Sequence, residues 1–68
     1  MKLEELLLNV ELQGDITIKV YDYTEDDYIA EFPYTHEQYG RIEELYGGYY
    51  IKFIYPENGM VIIEIAED

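Results

Sequence analysis

The strongest structural signal in this chain is YYIKFIYPENGMVIIEI, residues 49–65. Two runs rich in β-branched and aromatic residues, Tyr49–Tyr55 and Met60–Ile65, are separated by Pro56-Glu57-Asn58-Gly59. Proline presets φ at a turn position, and an Asn-Gly pair tolerates left-handed backbone geometry. The stretch therefore predicts a β-hairpin.

Both faces of this hairpin are predicted to be apolar. A four-residue loop would place Tyr55 opposite Met60, Phe53 opposite Ile62 and Ile54 opposite Val61. One face then carries Ile51, Phe53, Tyr55, Met60 and Ile62, and the other carries Ile54, Val61, Ile63 and Ile65. One face can pack against helices. The second is either buried as well, as in a central strand pair, or exposed as a contact patch.

Upstream, the N-terminal third predicts a helix and a strand. Leu3, Leu6, Leu7 and Val10 recur at helical spacing, which indicates a short amphipathic helix over residues 2–9. After a turn at Gln13-Gly14-Asp15, the run Ile16–Tyr21 alternates apolar with polar residues. We expect its apolar residues to face the core, namely Ile16, Ile18 and Val20.

A second hairpin and a second helix are predicted in the middle of the chain. Residues 22–27 concentrate like charges without periodicity and form the loop, and Tyr28–Phe32 forms the returning strand, which ends at Pro33. Thr35 and Gln38 have the spacing of a capping box, and Tyr34 and Tyr39 that of a hydrophobic staple. A helix is expected to start at His36 and to end at Gly47-Gly48.

These elements predict one α+β domain over residues 1–68, with the order α-β-β-α-β-β. Its mainly antiparallel sheet has about four strands in two hairpins, with one or two short helices on one face. A domain this small buries only about 60% of the surface of its unfolded chain, so a second core is not expected. The chain has no cysteine to staple that core.

Charge is the unusual feature of the composition. Sixteen acidic side chains against four basic ones give a net charge of −12 and a pI near 4.1. This excess repels nucleic acid and anionic membranes, and it favours a basic protein surface as partner. The same acidity also serves solubility, which is the alternative explanation.

Catalysis is not expected, and neither are a cofactor, a metal or a catalytic residue. The chain has no serine or cysteine nucleophile, and its only imidazole, His36, is expected on an exposed helix turn beside Glu37. The carboxylates at 22, 25, 26 and 27 suggest weak calcium binding as a minor alternative, although their spacing is not that of an EF-hand. No apolar run is long enough for a membrane span and no signal sequence is recognisable, so a cytoplasmic location is expected.

Acidic residues interleaved with tyrosine form the remaining constellation. Tyrosine offers contact area with little entropy to lose, and carboxylates offer bidentate partners to arginine. The predicted partner-binding residues are Asp22, Tyr23, Glu25, Asp26, Asp27, Tyr28, Glu43 and Glu44. The alternative is that most of the nine tyrosines are ordinary sheet and core residues.

In size, charge, the acid–tyrosine stretch Tyr21–Tyr28 and the Pro56–Gly59 hairpin, the chain resembles the small acidic proteins of phages and other mobile elements. Anti-CRISPR proteins are among them. The resemblance is one of type and carries over no functional residue. It implies an inhibitor of a host nuclease, for instance one that fills the DNA-binding channel of a Cas effector, in the host cytoplasm if the protein is phage-encoded.

The sequence therefore predicts a non-catalytic protein that occupies a basic groove, its carboxylates standing where phosphates would be. The expected partner is a basic protein surface, such as that of a nucleic-acid-binding protein or a Cas nuclease, and not nucleic acid or a membrane. The alternative is a structural or assembly protein that homodimerises through the second apolar face of the C-terminal hairpin.

Overall fold

Four strands form one mixed sheet in the computed structural model, which describes residues 1–68. The elements are α1 (Leu3–Asn9), β1 (Ile16–Asp22), β2 (Asp27–Pro33), a 3₁₀ turn (His36–Gln38), α2 (Tyr39–Tyr46), β3 (Tyr50–Glu57) and β4 (Met60–Ala66). The strand order is β2-β1-β4-β3. Both hairpins are antiparallel, and they join through parallel pairing of β1 with β4. The predicted α+β class, element order and mainly antiparallel sheet are confirmed.

The core lies between the two helices and one face of the sheet. Leu3 and Leu7 from α1 and Ile42 from α2 pack against apolar side chains of the central strands, which are Ile16, Ile18, Val20, Ile63 and Ile65. The three residues of β1 expected in the core are thus confirmed. Val10 lies just beyond the end of α1 and is exposed.

Neither α1 nor α2 has the length and apolar character that a transmembrane helix requires.

The C-terminal hairpin is tighter than predicted. The four-residue loop is wrong, because Glu57 pairs with Met60 across a two-residue turn, and Tyr55 lies opposite Ile62 instead of Met60. Asn58 and Gly59 both have positive φ, 51° and 79°, the signature of a turn whose twist matches that of the flanking strands. Pro56 is tolerated within β3 because β3 is an edge strand.

The predicted position of Ile51 on the same face as Phe53 is wrong, because β3 has a bulge at Lys52. Ile51 pairs with Ile65 and Phe53 pairs with Glu64, so Lys52 is an extra residue in β3. Ile51 therefore packs against the core instead of sharing a face with Phe53. Tyr55, Phe53, Met60 and Ile62 do share the other face, the one that carries no helix.

The predicted capping box at the second helix is wrong. The Thr35 side chain makes no capping hydrogen bond, and the Gln38 N–H donates to the Thr35 carbonyl oxygen at 3.0 Å instead. The chain there forms a 3₁₀ turn, whose own backbone bond satisfies the donor that a cap would serve. The two staple positions, Tyr34 and Tyr39, both pack against the core.

The turn at Gly59 allows a clean test of backbone strain. A Cβ atom at Gly59 or at Gly40, in α2, would meet no atom within 4 Å, but only Gly59 has positive φ. We expect Gly59→Ala to lower the free energy of unfolding by about 1 kcal/mol and Gly40→Ala to raise it by about 0.5 kcal/mol. Urea denaturation followed by circular dichroism measures both, and equal effects of the two variants would contradict the turn assignment.

Candidate protein-binding surface

Acidic residues gather at the end of the sheet where β1 and β4 both terminate. Because these strands are parallel, with Tyr21 beside Ala66, the residues that follow them emerge together. Asp22, Glu67 and Asp68 line one small depression of about 70 Å³. Glu25 and Asp26 in the β1–β2 loop and Asp27 at the start of β2 add three exposed acids. We call this set the acidic end, and its members are Asp22, Glu25, Asp26, Asp27, Glu67 and Asp68.

The loop carboxylates hold their own backbone in place. One Asp22 oxygen accepts the Thr24 N–H at 2.8 Å, and one Asp27 oxygen accepts the Tyr28 N–H at 2.7 Å. Asp26, which has a left-handed φ of 54°, accepts the hydroxyl proton of Tyr21. Each carboxylate has a second oxygen with lone pairs, so the loop is ordered and still able to accept donors from a partner.

The calcium interpretation of this loop has no support in the geometry. Nowhere in the protein do three or more acidic or histidine side chains come close enough together to hold a metal ion. His36 is exposed in the 3₁₀ turn, as expected, with its ring 6.0 Å from that of Tyr34.

Glu43 and Glu44 lie on α2, on the helical side of the sheet. Glu44 is exposed and Glu43 half-buried. No hydrogen bond, ion pair or shared depression joins either residue to the loop. The structure therefore brings together six of the predicted binding residues, Asp22 to Tyr28, and leaves these two as a separate site.

The sheet face that carries no helix forms the second part of the surface, and we call it the open face. Strand pairing places Tyr21 and Tyr28 on it from the first hairpin, and Tyr55, Phe53 and Glu64 from the second. Phe53 is 62% exposed, and Tyr23 at the adjoining loop is 58% exposed. Ile62 is buried on this face even without a helix above it, and strand pairing places it between Tyr55 on β3 and Thr17 on β1.

Glu64 organises the middle of the open face. Its two oxygens accept the hydroxyl protons of Tyr28, at 2.8 Å, and of Tyr55. The Tyr21 ring makes edge contacts with Tyr23 and Tyr28, at centroid distances of 5.2 and 5.3 Å. Since Tyr21 also bonds Asp26, the open face and the acidic end form one continuous surface.

Lys19 and Lys52 lie over aromatic rings at the open face, and the Lys2 ammonium lies 5.8 Å from the Tyr50 ring centroid. The Lys19 ammonium is 5.5 Å from the Tyr28 ring centroid and forms ion pairs with Glu31, at 3.7 Å, and Glu57, at 3.8 Å. The Lys52 ammonium is 5.9 Å from the Tyr23 ring and 5.7 Å from the Tyr50 ring. Neither ammonium group forms an ion pair with a carboxylate of the acidic end.

The hydrogen bonds to carboxylates change the titration of three tyrosines. The bond to Asp26 raises the pKa of Tyr21 to about 12. The bonds to Glu64 likewise raise the pKa of Tyr28 and of Tyr55. In each case the neutral phenol donates the bond, so loss of the proton places a second negative charge against the carboxylate.

These tyrosines predict a loss of stability in strongly alkaline solution. The folded protein holds their protons more tightly than the unfolded chain, whose tyrosines titrate near pH 10. Their contribution is therefore intact below about pH 10 and is lost as the pH rises further, which for Tyr21 means through a pKa of about 12. Urea denaturation at a series of pH values measures the loss of stability, and phenolate absorbance measures the titration of the tyrosines. Titration of all nine tyrosines as one population near pH 10 would contradict the hydrogen bonds.

Sequence reasoning missed Glu64, Tyr55, Glu67 and Asp68. Glu64 could have been noticed in the sequence, because it is the only charged residue in the apolar run Met60–Ala66 and lies between Ile63 and Ile65, which are buried. Glu67 and Asp68 leave none, since their place beside Asp22 depends on the parallel pairing.

No family model, curated protein or solved structure matches the chain.

Proposed function

We propose that this protein is a non-catalytic binding protein that captures a basic surface of another protein through its acidic end. The observation that carries the proposal is the parallel pairing of β1 and β4, which brings Glu67 and Asp68 beside the four acids of residues 22–27, so that six of the sixteen acids lie at one end of the sheet. No salt bridge neutralises any of the six. Their negative charge is therefore not neutralised within the protein. It attracts a basic partner over about 8 Å, the Debye length at physiological salt.

Tyrosines beside these acids supply contact area. Tyr23 is exposed at the acidic end and Tyr28 at its border with the open face. Tyrosine and arginine dominate the energetics of many interfaces, and arginine binds carboxylates in a bidentate manner. An arginine-rich groove would meet both kinds of group here.

The sharper form of the proposal is nucleic-acid mimicry. A groove that binds nucleic acid presents arginine and lysine at the positions of phosphates, and the ordered carboxylates of the loop offer the same charge in a fixed arrangement. The resemblance to anti-CRISPR-type proteins points to a Cas nuclease or another nucleic-acid-binding protein as the partner. Inhibition would then follow from occupancy of the groove.

Competition with DNA tests the mimicry. The purified protein is immobilised, and a bacterial lysate fraction enriched on heparin is applied with and without duplex DNA. We expect the retained proteins to be basic nucleic-acid-binding proteins that duplex DNA displaces and that elute as salt rises. Retention that is insensitive to both DNA and salt would overturn the proposal.

Homodimerisation is the second candidate function, and exposed Phe53 on the open face favours it. Against it, two copies would bring together chains of net charge −12. The edges are also poorly suited to pairing. In β3, Ile51 already donates to the Met1 carbonyl, Lys52 forms a bulge and Pro56 lacks an N–H, and β2 ends at Pro33. Analytical ultracentrifugation decides, and a dimer at micromolar concentration would support this second candidate.

A further inference from the structure

We propose that a depression in the open face, centred on Glu64, is a receptor for one guanidinium group, an arginine side chain of the basic partner. This inference rests on the proposed function in naming a protein as the source of that side chain. The depression has a volume of about 310 Å³, and its lining includes Tyr21, Tyr23, Tyr28, Lys52, Phe53 and Glu64. That volume is at the small end of the roughly 300–1,000 Å³ of ligand pockets, so it suits one side chain and not a large substrate.

Glu64 gives the depression its preference for a cation. The carboxylate is half-buried, and no lysine or arginine nitrogen lies within 4 Å of it, since the only ion pairs in the protein are those of Lys19 with Glu31 and Glu57. Tyr28 and Tyr55 each donate one hydrogen bond to it, which fixes its orientation. Each carboxylate oxygen has a second lone pair, so a two-pronged donor can still bind.

The aromatic side chains that line the depression also favour a cation. The Lys52 and Lys19 ammonium groups lie 5.9 and 5.5 Å from the centroids of the Tyr23 and Tyr28 rings, within the range of a cation–π contact. Phe53 leaves most of its surface free at the same depression. Arginine is favoured over lysine because its planar guanidinium stacks on aromatic rings and pairs with a carboxylate at two points.

The test uses methylguanidinium as the probe and the full ¹⁵N-labelled chain. We expect saturable shifts in the NMR signals of residues lining the depression, with tighter binding than methylammonium at equal ionic strength. Glu64→Gln is expected to weaken binding about fivefold or more, because the amide keeps an acceptor but loses the charge. The matched control is Glu37→Gln, an exposed carboxylate in the 3₁₀ turn that makes no hydrogen bond or ion pair, and it is expected to leave the affinity unchanged.

If Glu64→Gln does not fold, Phe53→Ala replaces it, because this side chain is largely exposed and its removal is not expected to unfold the domain. It too is expected to weaken methylguanidinium binding. Shifts that do not saturate, equal binding of methylammonium, or an unchanged affinity in Glu64→Gln or Phe53→Ala would overturn the receptor. If duplex DNA still displaces captured lysate proteins in that case, the proposed function is unaffected. Conversely, saturable methylguanidinium binding without DNA-sensitive capture would overturn only the proposed function.

Discussion

Ile18→Ala is expected to lower the free energy of unfolding by about 2–5 kcal/mol, the range for removing a large aliphatic side chain from a core. Ile18 is fully buried at the centre of β1, with Phe32 beside it on β2 and Ile63 on β4. The cavity would open where both hairpins and both helices meet. Because small domains are stabilised by only a few kcal/mol, a sizeable fraction of the variant should be unfolded at room temperature.

Ile54→Ala is the matched control for this prediction. It makes the same chemical change on edge strand β3, where Ile54 is 56% exposed beyond the cover of the helices. We expect a loss of less than about 1 kcal/mol, because most of the side chain is already in contact with water. Urea denaturation of both variants measures the difference. Equal losses would contradict the placement of the core between the helices and the two parallel strands.

Local patterns predicted the elements, because each depends on a short range of sequence. The alternation of Ile16, Ile18 and Val20 identified a strand and its buried face, and Asn58-Gly59 identified the turn. Long-range pairing was not predictable in the same way. Nothing in the spacing of β1 and β4 indicates that they pair in parallel, since that contact depends on how the two hairpins meet over α1 and α2.

The errors at the hairpin have a similar cause. A bulge at Lys52 reverses the faces of the residues before it, and one inserted residue is enough to move Ile51 into the core. The acids of residues 22–27 were predictable as a cluster, but their proximity to Glu67 and Asp68 was not, because it depends on the parallel pairing of β1 with β4. The Glu64 depression required the open face to be known first, because its walls come from both hairpins.

Neutralising the acidic loop is expected to weaken capture of a basic partner about tenfold, without unfolding the domain. The variant is Glu25→Gln, Asp26→Asn and Asp27→Asn combined. Each replaced group is exposed, and several such charges acting together on one partner change affinity and association rate by about this amount. The amides keep an oxygen acceptor for the Tyr21 hydroxyl and the Tyr28 N–H, and asparagine tolerates the left-handed backbone at position 26.

A second triple variant separates location from bulk charge. Glu11→Gln, Asp15→Asn and Glu37→Gln remove the same charge at the opposite end of the sheet, where Asp15 precedes β1 and Glu11 and His36 border one depression. None of these three side chains makes a hydrogen bond or an ion pair. Both triple variants change the net charge by the same amount, so solubility and long-range repulsion are affected alike.

The most direct measurement is the salt concentration at which basic nucleic-acid-binding proteins elute from the immobilised wild-type protein and from the two triple variants. If the acidic end is the capture site, the loop variant releases them at clearly lower salt, and the variant of the opposite end releases them at nearly the wild-type concentration. Equal shifts for the two variants would contradict this prediction, because the charge would then act only in bulk. No shift for either variant would contradict it as well, because the acidic loop would then contribute nothing to capture.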